Sequence, residues 1–119
     1  MKKDNIIRDK SYSFALRIVK LYRYLSLEKK EFVLSKQILR SGTAIGALIK
    51  ESEHAQSKAD FINKINIALK EANETEYWLQ LLNDSKYLTT KEYKSIYPEI
   101  HEIISLLVSI LKTSKKNLK

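Results

Sequence analysis

Apolar residues recur along this chain in alternating steps of four and three. Through its centre the series runs Leu34, Ile38, Ser41, Ile45, Leu48, then Phe61, Ile65, Ala68, Ala72, Thr75, Leu79, Leu82. That spacing puts about one residue per turn on a single stripe and predicts helices that face other helices. The same period appears earlier at Phe14, Ile18, Leu21, Leu25 and later at Ile96, Ile100, Ile103, Leu107, Ile110. The chain therefore reads as four helices. The first runs from about Asp9 or Ser11 to about Leu27, after a loose or partly helical basic arm over about 1–8. The second spans about Leu34 to Gln56, with Phe32 and Val33 as anchors at its start. The third begins near Ser57, an N-cap with Asp60 in the first turn, and stops at Asn83-Asp84-Ser85-Lys86. The fourth opens on Thr89-Thr-Lys-Glu92, a T-x-x-E capping box. It carries Pro98, which predicts a kink or a division into two pieces. A frayed basic tail is expected over 113–119. No segment reads as a strand.

Four helices with short connections imply an all-α, antiparallel up-and-down four-helix bundle, one domain over residues 1–119. The rival arrangement is two helical hairpins that exchange partners between chains. Two Gly and one Pro argue against a turn-rich β fold.

Polar groups interrupt or flank the central stripe at Gln37, Arg40, Ser41, Glu51, Glu71 and Glu74. An arginine inside a bundle needs carboxylate partners, and these glutamates supply them. Such a set fixes register more than it adds stability. Gly42 and Gly46, with Ser41, Ala44 and Ala47, form a small-residue segment. Each interior glycine costs a helix about 1 kcal/mol, so a close helix contact is expected here, within the chain or between subunits. A competing reading is helix-turn-helix, with Gly42 in the turn. Its recognition helix over 43–51 would be almost entirely apolar and offer little to base edges. Tyr77 and Trp78 are expected as packing or interface anchors.

Charge changes the picture further. The net +8 is uneven: +7 over residues 1–40, −2 over 41–100 and +3 over 101–119. Basic ends favour a polyanionic partner, most simply RNA or DNA. On the first helix, Arg17, Lys20 and Arg23 follow one another on a drifting face, with Lys10 in line below and Tyr24 beside them. Cations next to an aromatic ring suit phosphates and a stacked base. Lys10, Arg17, Lys20, Arg23, Lys115 and Lys116 are the candidate nucleic-acid contacts. A solvated helix face explains the same residues without a ligand.

Candidate chemistry is sparse. Glu51-x-x-His54 has the spacing of di-iron bundle proteins, but a centre needs a second such motif, and His101 has Tyr97 and Pro98 upstream. No Cys, Gly-rich phosphate loop or Ser-His-acid constellation is present, so no catalytic residue, metal or cofactor is expected. Glu51, Glu71, Glu74 and Glu76 as a Mg²⁺ cluster is weaker than their pairing with Arg40. The start of the chain lacks an apolar h-region, and no run is long enough to span a membrane; a cytoplasmic protein is expected.

The segment FVLSKQILRSGTAIGALIKE, followed by DFINKINIALKEANETEYWLQLL, resembles the bacterial four-helix bundle proteins encoded by intervening sequences of 23S ribosomal RNA genes, the so-called S23 ribosomal proteins. That family includes the accessory protein of diversity-generating retroelements. The resemblance extends from about Phe14 to Leu111. Gln37, Arg40, Ser41, Ile45, Ile49 and Glu51 match the first part of the family's pattern, and Phe61, Ala68, Glu71, Glu74, Tyr77, Trp78 and Leu79 the second. Ala44 and Leu48 depart, standing where the family often has Ser and Asn. The resemblance implies a ring-like homopentamer, no enzymatic activity, and binding of RNA or DNA through basic surfaces, with a reverse transcriptase or another protein as a further partner. The alternative is an interaction module that docks a protein through apolar and Tyr-rich surfaces.

Overall fold

The stripes become four helices: α1 (Lys2–Leu27), α2 (Leu34–Ser52), α3 (Lys58–Asp84) and α4 (Thr90–Lys116). The computed structural model describes residues 2–117, with side chains from residue 6 onward. Each helix packs on its neighbours in sequence and α4 closes against α1, while among the described residues the backbones of the diagonal pairs stay more than 8 Å apart. This is the antiparallel up-and-down bundle, 50 × 22 × 19 Å. All four interfaces close within one chain, so the exchanged-hairpin arrangement is not needed to bury the stripes.

Three termini follow their local chemistry. The Ser57 hydroxyl accepts from the Asp60 N–H at 3.0 Å. Thr89 and Glu92 form the full reciprocal box: the Glu92 N–H donates to Thr89 Oγ1 at 3.1 Å, and the Thr89 N–H donates to Glu92 Oε1 at 2.8 Å. α3 ends where Lys86 takes φ 71°. There the Tyr87 N–H reaches the Leu82 carbonyl and the Lys86 N–H reaches that of Asn83, closing the helix end as a glycine usually would.

Of the two expectations for the arm, the helical one holds: residues 2–8 are the first turns of α1, and Ile7 reaches the core. Other expectations need correction. α2 stops at Ser52, short of Gln56. α4 continues to Lys116, since Leu111 and Ser114 are buried, so the tail is helical over 113–116; Met1, Leu118 and Lys119 lie outside the described residues. Pro98 does not divide α4. It lies on the exposed face one turn after exposed Lys94, so the carbonyl it leaves without a helical partner faces water. α2 runs unbroken through Gly42, which removes the helix-turn-helix reading.

Phe32 and Val33 anchor nothing: they are 54% and 70% exposed. The start of α2 is held by Glu31. Its side chain is buried and accepts the N–H groups of Val33, Leu34 and Ser35 at 2.7–3.2 Å, while the Ser35 hydroxyl donates to the Glu31 carbonyl. Burial pushes this carboxyl up, but the bonds from Leu34, Ser35 and Val33 together outweigh it and hold it below its ordinary range.

The core is built from Phe14, Ile18 and Leu25 of α1, Ile38 and Ile45 of α2, Ile65, Leu79 and Leu82 of α3, and Ile100, Ile103 and Leu107 of α4. Gly42 lets α1 lie against α2: a Cβ there would stand 2.9 Å from Ile18 Cγ1 and Cγ2. The small-residue segment therefore serves a contact inside the chain at this position. Gly46 is less confined, its nearest neighbour being the Ser11 carbonyl oxygen at 3.5 Å.

Candidate nucleic-acid interface

The seam between α1 and α4 sorts the candidate cations into two kinds. Arg17 is committed to the fold. Its Nη1 donates to the Ser95 carbonyl at 3.1 Å, its Nη2 to Ser95 Oγ at 3.0 Å, and its guanidinium pairs with Glu99. Lys10 is likewise paired across the seam, with Glu102 at 2.9 Å. Lys20 and Arg23 are exposed and form no ion pair among the described residues. Lys115 and Lys116 are exposed too, but α4 is antiparallel to α1. They stand about 30 Å along α4 from Ser95, at 1.5 Å per residue, at the opposite end of the bundle. The six candidates therefore do not form one surface.

What gathers around Lys20 and Arg23 comes from elsewhere in the chain. The connections 28–33 and 85–89 lie at this end and bring Lys29, Lys30 and Lys86, while α4 starts here with Lys91. Among the described residues none of these six cations forms an ion pair. Two of the nearby carboxylates, Glu31 and Glu92, are occupied by helix N–H groups. Between α1 and α4 a cleft of about 610 Å³ opens, with Leu21, Leu88 and Ile96 in its walls and Lys20, Lys91 and Tyr24 around them. The Lys29 ammonium lies 5.8 Å from the centre of the Tyr24 ring.

A second polar set joins α2 to α3. Arg40 pairs with Glu71 at 3.2 Å and with Glu74, and the Trp78 indole N–H donates to Glu74 at 3.0 Å. Bonding to Glu74 raises the arginine's affinity for its proton further, with the charge of Glu71 helping against desolvation. The Trp78 bond is the largest influence on Glu74; with Arg40 it overcomes burial and holds the carboxyl below its ordinary range. Beneath them the buried hydroxyls of Ser41 and Thr75 lie 2.8 Å apart, and Thr75 also bonds to the Glu71 carbonyl. Gln37 and Glu51 were expected in this set and are not in it. Gln37 is exposed, and Glu51 lies about three turns beyond Arg40, paired with Lys64 at 3.3 Å. Tyr77 is exposed, its ring edge-on to half-buried Trp78 at 5.0 Å.

The sequence model of the family described as 23S rRNA-intervening sequence protein matches residues 3–109. The chain belongs to that family. A crystal structure of a protein of unknown function from the S23 ribosomal protein family of Bacteroides thetaiotaomicron is 64% identical, covers 92% of this chain and 98% of its own, and superposes with a TM-score of 0.91. No curated protein matches. Neither description names an enzymatic activity.

In this 23S rRNA-intervening sequence protein, Glu51 and His54 are both exposed at the end of α2. His101 is exposed on α4, its ring 6.1 Å from that of Tyr97. Among the described residues no helix is long and apolar enough to cross a membrane. The cations that sequence reasoning missed, Lys29, Lys30, Lys86 and Lys91, sit in or beside connections. A helical-face argument does not reach them; the only signal was that both connections join the same end of an up-and-down bundle.

Proposed function

We propose that this 23S rRNA-intervening sequence protein is a non-enzymatic, homo-oligomeric accessory protein of the bacterial cytoplasm that binds RNA or DNA by charge and shape. One observation carries the reading: six unpaired cations, Lys20, Arg23, Lys29, Lys30, Lys86 and Lys91, gather at one end of the bundle, where two of the local carboxylates are engaged by helix termini. Free cations at this density attract phosphates and release their counterions. No cluster of Asn, Gln or Arg suited to base edges accompanies them, so the binding is not base-specific. Lys115 and Lys116 belong to a second, separate basic end.

Self-association is part of the proposal. Tyr12 and Leu16 are 65% and 51% exposed. Tyr12 borders a shallow trough along α1 and α2 with Ala15, Thr43, Gly46 and Ala47. A ring-like homopentamer covering these residues would present the basic end five times and make weak contacts avid. The same exposed residues favour the second reading, a module that docks a protein partner such as a reverse transcriptase, with charge serving solubility.

The test compares charge reversal at the two ends. Lys20→Glu/Arg23→Glu/Lys91→Glu is expected to abolish binding of structured RNA, while Lys112→Glu/Lys115→Glu/Lys116→Glu retains most of it. Unchanged RNA binding in the first variant would overturn the assignment. One protein recovered in fixed stoichiometry after nuclease treatment, with no RNA affinity of the pure protein, would favour the docking module.

A further inference from the structure

We infer that the cleft between α1 and α4 is a subsite for one unstacked nucleotide of a single-stranded nucleic acid, its base against Tyr24 and its phosphates between Lys20 and Lys91. The inference rests on the nucleic-acid reading above and adds where a strand is held and in what state. At about 610 Å³ the cleft is within the size range of small-ligand sites. Its composition is that of a receptor for an amphipathic anion. Leu21, Leu88 and Ile96 give it an apolar lining; Leu88 and Ile96 are nearly fully buried in the bundle and so form a fixed floor.

Charge complementarity identifies the occupant. Arg17, Lys20 and Lys91 line the cleft against the single carboxylate of Glu92, which is already bonded to the Thr89 N–H. Arg17 is immobilised on Ser95 and Glu99, so it contributes field but does not reach out. Lys20, on α1, and Lys91, on α4, are unpaired and free to close on an anion from two sides. Lys29 beside the Tyr24 ring supplies a further cation. A flat aromatic base with an attached phosphate matches this arrangement of apolar floor, aromatic wall and cationic rim.

Two consequences follow from the lining. A base inside a duplex is stacked on its neighbours and cannot enter, so the cleft selects single strands. Of the lining's polar neutral and acidic groups, Ser95 and Glu92 are taken by Arg17 and by the α4 terminus, which leaves the Tyr24 hydroxyl. Little is left to read a base edge, so the preference is for strandedness and not for sequence.

The experiment measures fluorescence anisotropy of a labelled twelve-nucleotide RNA without self-complementarity, and of the same RNA annealed to its complement. Tyr24→Leu keeps an apolar side chain and removes the ring. It is expected to weaken single-strand binding about tenfold and to move duplex binding less than twofold. Lys20→Gln/Lys91→Gln, on exposed side chains, is expected to weaken single-strand binding and to reduce its salt slope by about 1.4, at about 0.7 per phosphate contact. A folded Tyr24→Leu that binds the single strand like wild type, or loses both ligands equally, overturns the subsite. Should Tyr24→Leu not fold, the lysine pair decides: unchanged single-strand affinity and slope overturn it. Wild-type protein that binds neither RNA overturns the nucleic-acid reading itself, whereas indifference of the variants alone overturns only the cleft.

Discussion

Gly42 lies directly beneath Ile18, and an added Cβ would stand 2.9 Å from two of its side-chain carbons. Ile18 is fully buried and packed in the core. Gly42→Ala is therefore expected to destabilise the bundle by up to about 2 kcal/mol, overpacking of about 1–3 kcal/mol being set against the roughly 1 kcal/mol gained in helix propensity. Gly46→Ala meets only ordinary contact at 3.5 Å and is expected to be neutral or stabilising by up to about 1 kcal/mol. Urea melts of the two variants check the contrast. Equal effects at both positions would contradict the close approach.

Glu31 makes a different prediction, because its contribution depends on pH. Its carboxyl lies below the ordinary range when folded. A depressed carboxylate adds stability that is fully present above its unfolded pKa, about 4.3, and is lost as pH falls through the folded value. Glu31→Ala should cost about 1–2 kcal/mol at pH 7, the scale of a lost N-cap. The gap between wild type and variant should close in acid below pH 4. A gap that persists unchanged at pH 2 would contradict the cap.

The Arg40 cluster carries its own reporter, since Trp78 is the chain's single tryptophan and donates to Glu74. Acid titration of Trp78 fluorescence should show Glu74 protonating below the ordinary carboxylate range, and Arg40→Ala should move that transition upward. Arg40 is half exposed, so its removal should cost only about 1 kcal/mol or less. Thr75→Val, which strips a buried hydroxyl from Ser41, should cost more, about 1–2 kcal/mol. Calorimetry orders the two; the reverse order would mean that the exposed ion pairs dominate.

Arg17, a candidate phosphate contact, is already bonded to Ser95 and paired with Glu99. Arg17→Leu is expected to lower stability by about 1 kcal/mol through loss of the Ser95 and Glu99 bonds, and to change RNA affinity less than twofold. Lys20→Gln, which holds no structural bond, is expected to leave stability unchanged and weaken RNA binding. A charge reversal that includes Arg17 would mix the two effects.

Helix number, order and pairing were legible because core contacts recur every three or four residues and leave a periodic trace. The Ser57 and Thr89 caps were legible because the cap and its partner are three residues apart. Glu31 was not: it caps from outside the helix, after Lys30 at φ 55°, with a residue type outside the usual capping set. The start of α1 was left open between a loose and a helical arm because a single buried residue, Ile7, sits in a mostly polar segment and leaves no periodic trace. The basic face of α1 was visible as an i, i+3 series, but which of its cations are free was not. Arg17 meets partners 78 and 82 residues away, and nothing local to Arg17 encodes Ser95 or Glu99. Arg40, Glu71 and Glu74 were grouped by their places beside the central stripe; Glu51 was included on the same pattern, but its distance along α2 separates it and it pairs with Lys64.

The central claim, that the basic loop end neutralises nucleic-acid phosphates, is tested most directly by affinity for structured RNA and duplex DNA across a salt series, with mass followed by light scattering in the same buffers. Log affinity is expected to fall linearly with log salt, with a slope of about −0.7 to −0.9 per phosphate contact, and less steeply in Lys20→Glu/Arg23→Glu/Lys91→Glu. No binding at low salt, or binding indifferent to salt, would contradict it.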